Sequence, residues 1–215
     1  MKATLLVTEI YTSIQGESTW AGTLCTFVRL TGCPLRCRWC DTTYGFKGGH
    51  ITEVDKICEE VKKSKVPIVE ITGGEPLAQK NTPLLAQKLI DMGHTVLIET
   101  SGSENVSELP KEVHIIMDLK CPNSKMSDKN RYENLEHLKP SDEIKFVIDG
   151  KDDFDWAVGM IREYQLGERF TVLMSPAFGL TKPQELVEWM LDHDLNYRLN
   201  LQLHKYIWHP RKKGV

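Results

Sequence analysis

The sequence predicts an α/β protein with a mostly parallel sheet, open rather than closed into a full barrel. Three observations carry this expectation. Apolar runs of strand length alternate with longer amphipathic stretches, the order that βαβ units produce. Most of these runs end in glycine or polar residues, and parallel α/β sheets build their sites at such ends. The chain has 215 residues, short of the roughly 250 that eight β/α units take. No repeat, low-complexity tract or Pro/Gly/Ser-rich linker divides it, so residues 1–215 read as one domain.

Each element has a local reason. The candidate strands are residues 5–10, 25–30, 68–72, 95–100, 113–119, 143–148, 170–174 and 198–203. They are rich in Val, Ile, Thr and Phe and are bounded by Gly, Pro or Asp. The first two strands allow either parallel pairing or a hairpin-like extension. Thr52 and Asp55 open an amphipathic helix carrying Ile57 and Val61 and ending near Lys65. Thr82-Pro83 begins a second helix that runs to Met92 and stops at Gly93. Residues 153–164 form a third, stopped near Gly167, and residues 181–192 a fourth, with Pro183 and Glu185 in its first turn. The polar stretch 123–140 fits no element and suggests missing or degenerate helices.

Composition narrows the class. Lys plus Arg is 27 and Asp plus Glu is 30, a net charge of −3. That balance argues against a protein built to grip phosphate backbones, and no nucleic-acid partner is expected. Apolar residues are 40% and charged residues 27%, which excludes disordered and fibrous classes. No apolar run approaches the roughly 18 residues of a membrane helix, so no membrane partner is expected. The apolar start Leu5-Leu6-Val7 is broken by Thr8 and Glu9, too short for a signal peptide. A cytoplasmic location is expected.

Six cysteines are present, and three fall in one short stretch, Cys33-Pro-Leu-Arg-Cys37-Arg-Trp-Cys40. A disulfide framework would spread them through a smaller secreted chain. Three thiolates on one loop instead converge on an inorganic centre. Structural zinc and closed electron-transfer clusters both want four ligands. Cys25, Cys58 and Cys121 lie in a strand, in a helix and far along the chain. Three ligands leave one coordination position open, which suits chemistry on a bound molecule. A zinc site borrowing His50 or Asp41, or unrelated buried thiols, are the alternatives.

The spacing C-x3-C-x2-C resembles the signature of the radical S-adenosylmethionine (SAM) superfamily. The resemblance implies a (β/α)6-type partial TIM barrel. It also implies a [4Fe-4S] cluster on Cys33, Cys37 and Cys40, whose fourth iron binds SAM and reduces it to a 5′-deoxyadenosyl radical. Trp39 occupies the motif's aromatic position. Thr72-Gly73-Gly74-Glu75-Pro76 matches the superfamily's GGE motif, implying SAM contacts from Gly74 and Glu75. Ser101, Lys120 and Ser175 fall at the next strand ends, where further SAM contacts are implied.

Other segments narrow the subfamily. Ile14-Gln15-Gly16-Glu17, Phe27 to Cys33, Cys40-Asp41-Thr42, Glu99 to Gly102, Asp118-Leu-Lys120 and Gln202-Leu-His-Lys205 occur in order along the chain. Together they resemble the 7-carboxy-7-deazaguanine synthase family. That resemblance implies ring contraction of 6-carboxy-5,6,7,8-tetrahydropterin with loss of ammonia, in the route to queuosine. Ile14, Gln15, Gly16, Arg29, Thr72 and Gln202 are then the substrate contacts. A guanidinium fork at Arg29 suits a carboxylate, with a strand-edge salt bridge as its alternative role. Thr42 is implied as a Mg²⁺ ligand, since magnesium takes oxygen donors and keeps other positions for water or substrate. A flavodoxin or ferredoxin donor and a homodimer are also implied. Some members end in a terminal proline; this chain passes Pro210 with a basic Arg211-Lys-Lys-Gly-Val215 tail, expected to be a solvated end. The competing readings are a glycyl-radical-enzyme activase and a zinc-stabilised binding module.

Overall fold

A computed structural model describes residues 2–194, 196–210 and 212–215. Among the described residues nine strands form one sheet, in the order β3-β1-β2-β4-β5-β6-β7-β8-β9. β1 (Thr4–Ile14) pairs antiparallel with β2 (Leu24–Leu30), which settles the first pair as a hairpin-like extension. From β2 the sheet is parallel through β4 (Ile68–Gly73), β5 (Thr95–Thr100), β6 (His114–Asp118), β7 (Glu143–Ile148) and β8 (Thr171–Pro176). These six make the body of an incomplete barrel, and a two-residue seventh strand continues it parallel to β8.

The helices form where their apolar spacing allows. α1 (Val54–Ser64) buries Val54, Ile57, Cys58 and Val61 at helical intervals and ends at Lys65 in the left-handed region. α2 (Thr82–Asp91) buries Leu85, Ala86 and Leu89 with Pro83 in its first turn. α3 (Lys151–Glu163) buries Phe154, Ala157, Val158 and Ile161, and α5 (Pro183–Leu191) buries Leu186. With the outward residues of the strands these helices make the main core, with Phe146 and Phe154 fully buried.

Four details differ from the sequence expectations. Thr52 does not open α1; it lies in a short edge strand, β3 (His50–Glu53), paired to β1. That strand is too polar and short for periodicity to show. Gly167 does not stop a helix but lies inside a further turn, α4 (Leu166–Arg169), after Gln165 turns the chain in the left-handed region. The helix expected from residue 181 starts at Pro183. The last strand, β9, is only Arg198–Leu199; the chain then leaves the sheet and forms α6 (His204–Ile207) before its C-terminal tail. Stretch 123–140 contains 3-10 turns at Pro122–Ser124, Ser127–Lys129 and Tyr132–Glu136 rather than a full helix.

Alternation along each strand sorts side chains to opposite faces of the sheet. Val28, Ile71, Ile98, Met117, Phe146 and Met174 belong to the main, helix-covered core. Leu97, Ile116 and Leu173 form a separate small cluster, packed with Trp20 and Ile68, inside the concave face. Beyond that apolar floor the interior turns polar.

Candidate active site

The cysteine loop follows β2. Its course is set by neighbours distant in sequence. Leu35 is buried, the Arg38 backbone N–H donates to Ser124 O at 3.1 Å, and the Arg36 N–H donates to Met126 Sδ at 3.3 Å. The Arg38 guanidinium pairs with Asp149 at 2.8 Å. Thus the stretch that fitted no element clamps the loop. Cys33, Cys37 and Cys40 are free, half-buried thiols lining a cavity of about 690 Å³. Cys25, Cys58 and Cys121 are buried elsewhere, as expected. Burial pushes the three loop thiols above their ordinary range, and Lys120 nearby acts in the opposite sense. Coordination needs thiolates, so a cation here favours the ligand form. Among the described residues, no three His, Cys, Asp or Glu side chains are gathered as a single metal ion requires. Three soft donors on one loop fit a cluster with an open iron better than a closed four-ligand zinc.

The glycine pair after β4 has a steric cause. A Cβ on Gly73 would meet Leu30 O at 2.1 Å, and one on Gly74 would meet Gly32 O at 2.1 Å and Cys33 Cβ at 2.7 Å. Only glycine lets the two backbones approach so closely. Glu75 N–H donates to Gly32 O at 2.8 Å across this contact. The Glu75 side chain does not line the cavity. It is fully buried and accepts from Thr100 Oγ1 at 2.9 Å, Ser101 N–H at 2.7 Å, Ser101 Oγ at 2.6 Å and Leu77 N–H at 2.9 Å. Burial pushes its carboxyl up, and these hydrogen bonds pull it back. This carboxyl ties the end of β4 to the end of β5, directly beside the glycine pair that borders the cavity.

The other expected residues all line the cavity: Ile14, Gln15, Gly16, Arg29, Thr42, Thr72, Gly74, Ser101, Lys120, Ser175 and Gln202. Parallel register brings several together, since Arg29 lies beside Thr72 on adjacent strands. Arg29 Nε also pairs with Glu9 at 2.8 Å and Nη2 donates to Tyr11 Oη at 2.9 Å. The salt-bridge role and the cavity position therefore coexist. Lys120 Nζ is held by Asp118 Oδ2 at 2.8 Å, while Asp118 Oδ1 is buried without a partner among the described residues. Thr42 Oγ1 donates to Asp41 at 2.9 Å. Ser175 Oγ accepts from Asn200 at 2.8 Å.

Sequence reasoning missed a charged group in the interior. Lys145, on β7, is 4% exposed; its Nζ is 3.0 Å from Glu17 Oε2 and pairs also with Glu99. Glu70, on β4, is buried and accepts from the Gln15 amide. Burial opposes ionisation of Glu17, but Lys145 and Gln202 hold it below the ordinary carboxylate range. Burial, with Glu99 and Glu17 close by, raises Glu70 well above that range. The only signal in sequence was charge inside a strand, which alternation assigns to solvent.

The C-terminal segment closes one side. Leu203 N–H donates to Gly16 O at 2.8 Å. His204 sits so near that a Cβ on Gly16 would meet its Nδ1 at 2.2 Å. Gln202 Nε2 donates to Glu17 at 2.7 Å and to Asp41 at 3.2 Å. Pro210, Lys212, Lys213, Gly214 and Val215 also line the cavity, and Lys213 Nζ lies 4.2 Å from the Tyr44 ring centroid. Lys212, Lys213 and Gly214 stay exposed, as expected of a solvated end, while bordering the cavity mouth beside Tyr44; Arg211 lies outside the described residues.

A partial barrel with a three-thiol loop and a glycine cradle at its strand ends defines a radical SAM protein. A profile described as the Radical SAM superfamily matches residues 27–166. The 7-carboxy-7-deazaguanine synthase of Koribacter versatilis is 45% identical over 97% of this chain and 99% of its own. That of Chlorobaculum tepidum is 42% identical over 100% of this chain and 99% of its own. The chain belongs to the 7-carboxy-7-deazaguanine synthase family of radical SAM enzymes. The crystal structure of QueE from Escherichia coli matches its fold with a TM-score of 0.79 at 22% identity, covering 94% of this chain and 95% of that one.

Proposed function

We propose that this chain converts 6-carboxy-5,6,7,8-tetrahydropterin to 7-carboxy-7-deazaguanine with loss of ammonia. The observation that carries this reading is one cavity, about 690 Å³, onto which the three thiols, the glycine cradle and the charged interior all open. Cys33, Cys37 and Cys40 would hold a [4Fe-4S] cluster, and Gly74, Ser101, Lys120 and Ser175 would border SAM. When bound, these groups supply the radical chemistry.

This chain's residues supply placement. Arg29 is a fixed cation on β2 and pairs with the pterin carboxylate. Thr72, one strand away, gives a hydroxyl to the same side. Ile14, Gln15 and Gly16 border the ring. Glu17 and Glu99, both paired with Lys145, accept from the ring's amino and amide N–H groups. Gln202 donates to Glu17 and Asp41 and accepts from Lys205, so it acts on the ring through Glu17. Aromatic walls from Tyr11, Phe27 and Tyr44 exclude water. Thr42, oriented by Asp41, would give an oxygen to Mg²⁺. The reading includes an external flavodoxin or ferredoxin donor, a homodimer and a cytoplasmic location.

The test is turnover by anaerobically reconstituted protein with the carboxypterin, SAM, Mg²⁺ and a reductant. The expected result is a 7-deazaguanine carboxylate, released ammonia and SAM that is not consumed stoichiometrically. Absence of that product from protein with a full cluster overturns the reading.

A further inference from the structure

We propose that the Asp41–Lys205 ion pair is a positioning device that holds the Gln15–Glu17 loop in register with the cysteine loop. The inference rests on the pterin reading above. Asp41 directly follows Cys40, and Glu17 lies on the loop after β1. No backbone hydrogen bond among those described joins these two loops. The C-terminal segment does so with side chains. Lys205 Nζ is 2.5 Å from Asp41 Oδ2 and 2.5 Å from Gln202 Oε1. Gln202 Nε2 then reaches Glu17 Oε1 at 2.7 Å. Leu203 N–H grips Gly16 O at 2.8 Å, and Lys205 Nζ lies 4.7 Å from the Phe178 ring centroid.

The Lys205 side chain is 6% exposed, against 48% for Asp41. A half-exposed pair stabilises the fold little. A buried lysine whose ammonium is spent on two acceptors instead fixes geometry, since removing either acceptor leaves donors unmet. Lys205 and Gln202 sit on the segment that closes the cavity, so their loss should loosen residues 14–17 before it touches the cluster.

The experiment uses anaerobically reconstituted holoenzyme carrying Lys205→Met, Asp41→Asn, both changes, or Lys205→Arg. Lys205→Met and Asp41→Asn should each raise the KM for the carboxypterin about tenfold, Lys205→Met with kcat within about twofold, and the double change should be no worse than the worse single one. Lys205→Arg should recover most of the loss. Iron content and SAM affinity should stay at the wild-type level. Without substrate, amide hydrogen exchange in residues 14–17 and 203–207 should speed up together in each impaired variant. Multiplying losses in the double variant, or unchanged exchange at residues 14–17, overturn the proposal. So does loss of iron in step with KM, which would make the pair a support of the cluster loop. If wild type fails to turn over the pterin, the function reading falls, and the exchange measurement alone decides this one.

Discussion

The two faces of the same strands have been built by different physics. On the helix-covered face, Val28, Ile71, Ile98, Phe146 and Met174 are fully buried among apolar neighbours. On the concave face, one residue along, the strands present Arg29, Thr72, Glu99, Lys145 and Ser175. The first face removes hydrocarbon from water, at about 25 cal/mol per Å². The second buries charge, which is tolerable only because each group meets a partner. Stability is therefore concentrated outside the strands and binding inside them.

The largest effect should come from a change that breaks function without touching either face. Cys33→Ala removes one thiol of three; activity should vanish and the iron-to-protein ratio should collapse, while the thermal midpoint of the metal-free protein moves little. Phe146→Ala opens a cavity on the helix side and should cost about 3–5 kcal/mol, read from denaturant midpoints. Comparable destabilisation from an inner-face change such as Thr72→Ala would break the comparison.

Lys145→Met sharpens it. This change leaves Glu17 and Glu99 without their shared cation. Breaking a buried pair costs about 3–5 kcal/mol, and partial exposure of the carboxylates should reduce this to about 1–3 kcal/mol. Binding of the pterin should weaken more than folding does, as titration calorimetry beside a melting curve would show. As pH falls the stability gap to wild type should narrow, since burial favours the protonated form of Glu17 once Lys145 no longer opposes it.

The smallest effect belongs to Glu70. Its folded-state carboxyl titrates well above 4.5 because of burial, then Glu99 and Glu17. Arg29 and Lys145 act in the opposite sense. The folded protein thus keeps a proton that the unfolded chain has released. Its contribution is complete below the unfolded-state value and is lost as pH rises through the folded one. Glu70→Gln should flatten the fall in thermal midpoint as pH rises above the ordinary carboxylate range. An unchanged slope would show that Glu70 is ionised in the folded protein.

Much of this was readable from local pattern. Strands β2 and β4 to β8, and helices α1, α2, α3 and α5, follow from periodicity and caps that act within a few residues. The cysteine spacing marked the metal-binding loop, and the paired glycines marked a close backbone approach. What could not be read depends on partners far apart. Lys145 pairs across 128 residues with Glu17, and Gln202 across 185 with the same carboxylate. In sequence Lys145 looks like an ordinary solvated charge, and nothing near Gln202 points to Glu17 as its partner. Glu75 gives a further case: its motif is local, but its hydrogen bonds to Thr100 and Ser101 come from the neighbouring strand.

The chain's local chemistry thus determined the open parallel sheet, the three-thiol loop and the class of reaction. The tertiary structure decided which charges face each other inside that sheet, and that the C-terminal segment returns to the cavity. The reason is that periodicity and capping are short-range, whereas the partner of a buried charge is set by strand order and register, which only the assembled sheet supplies.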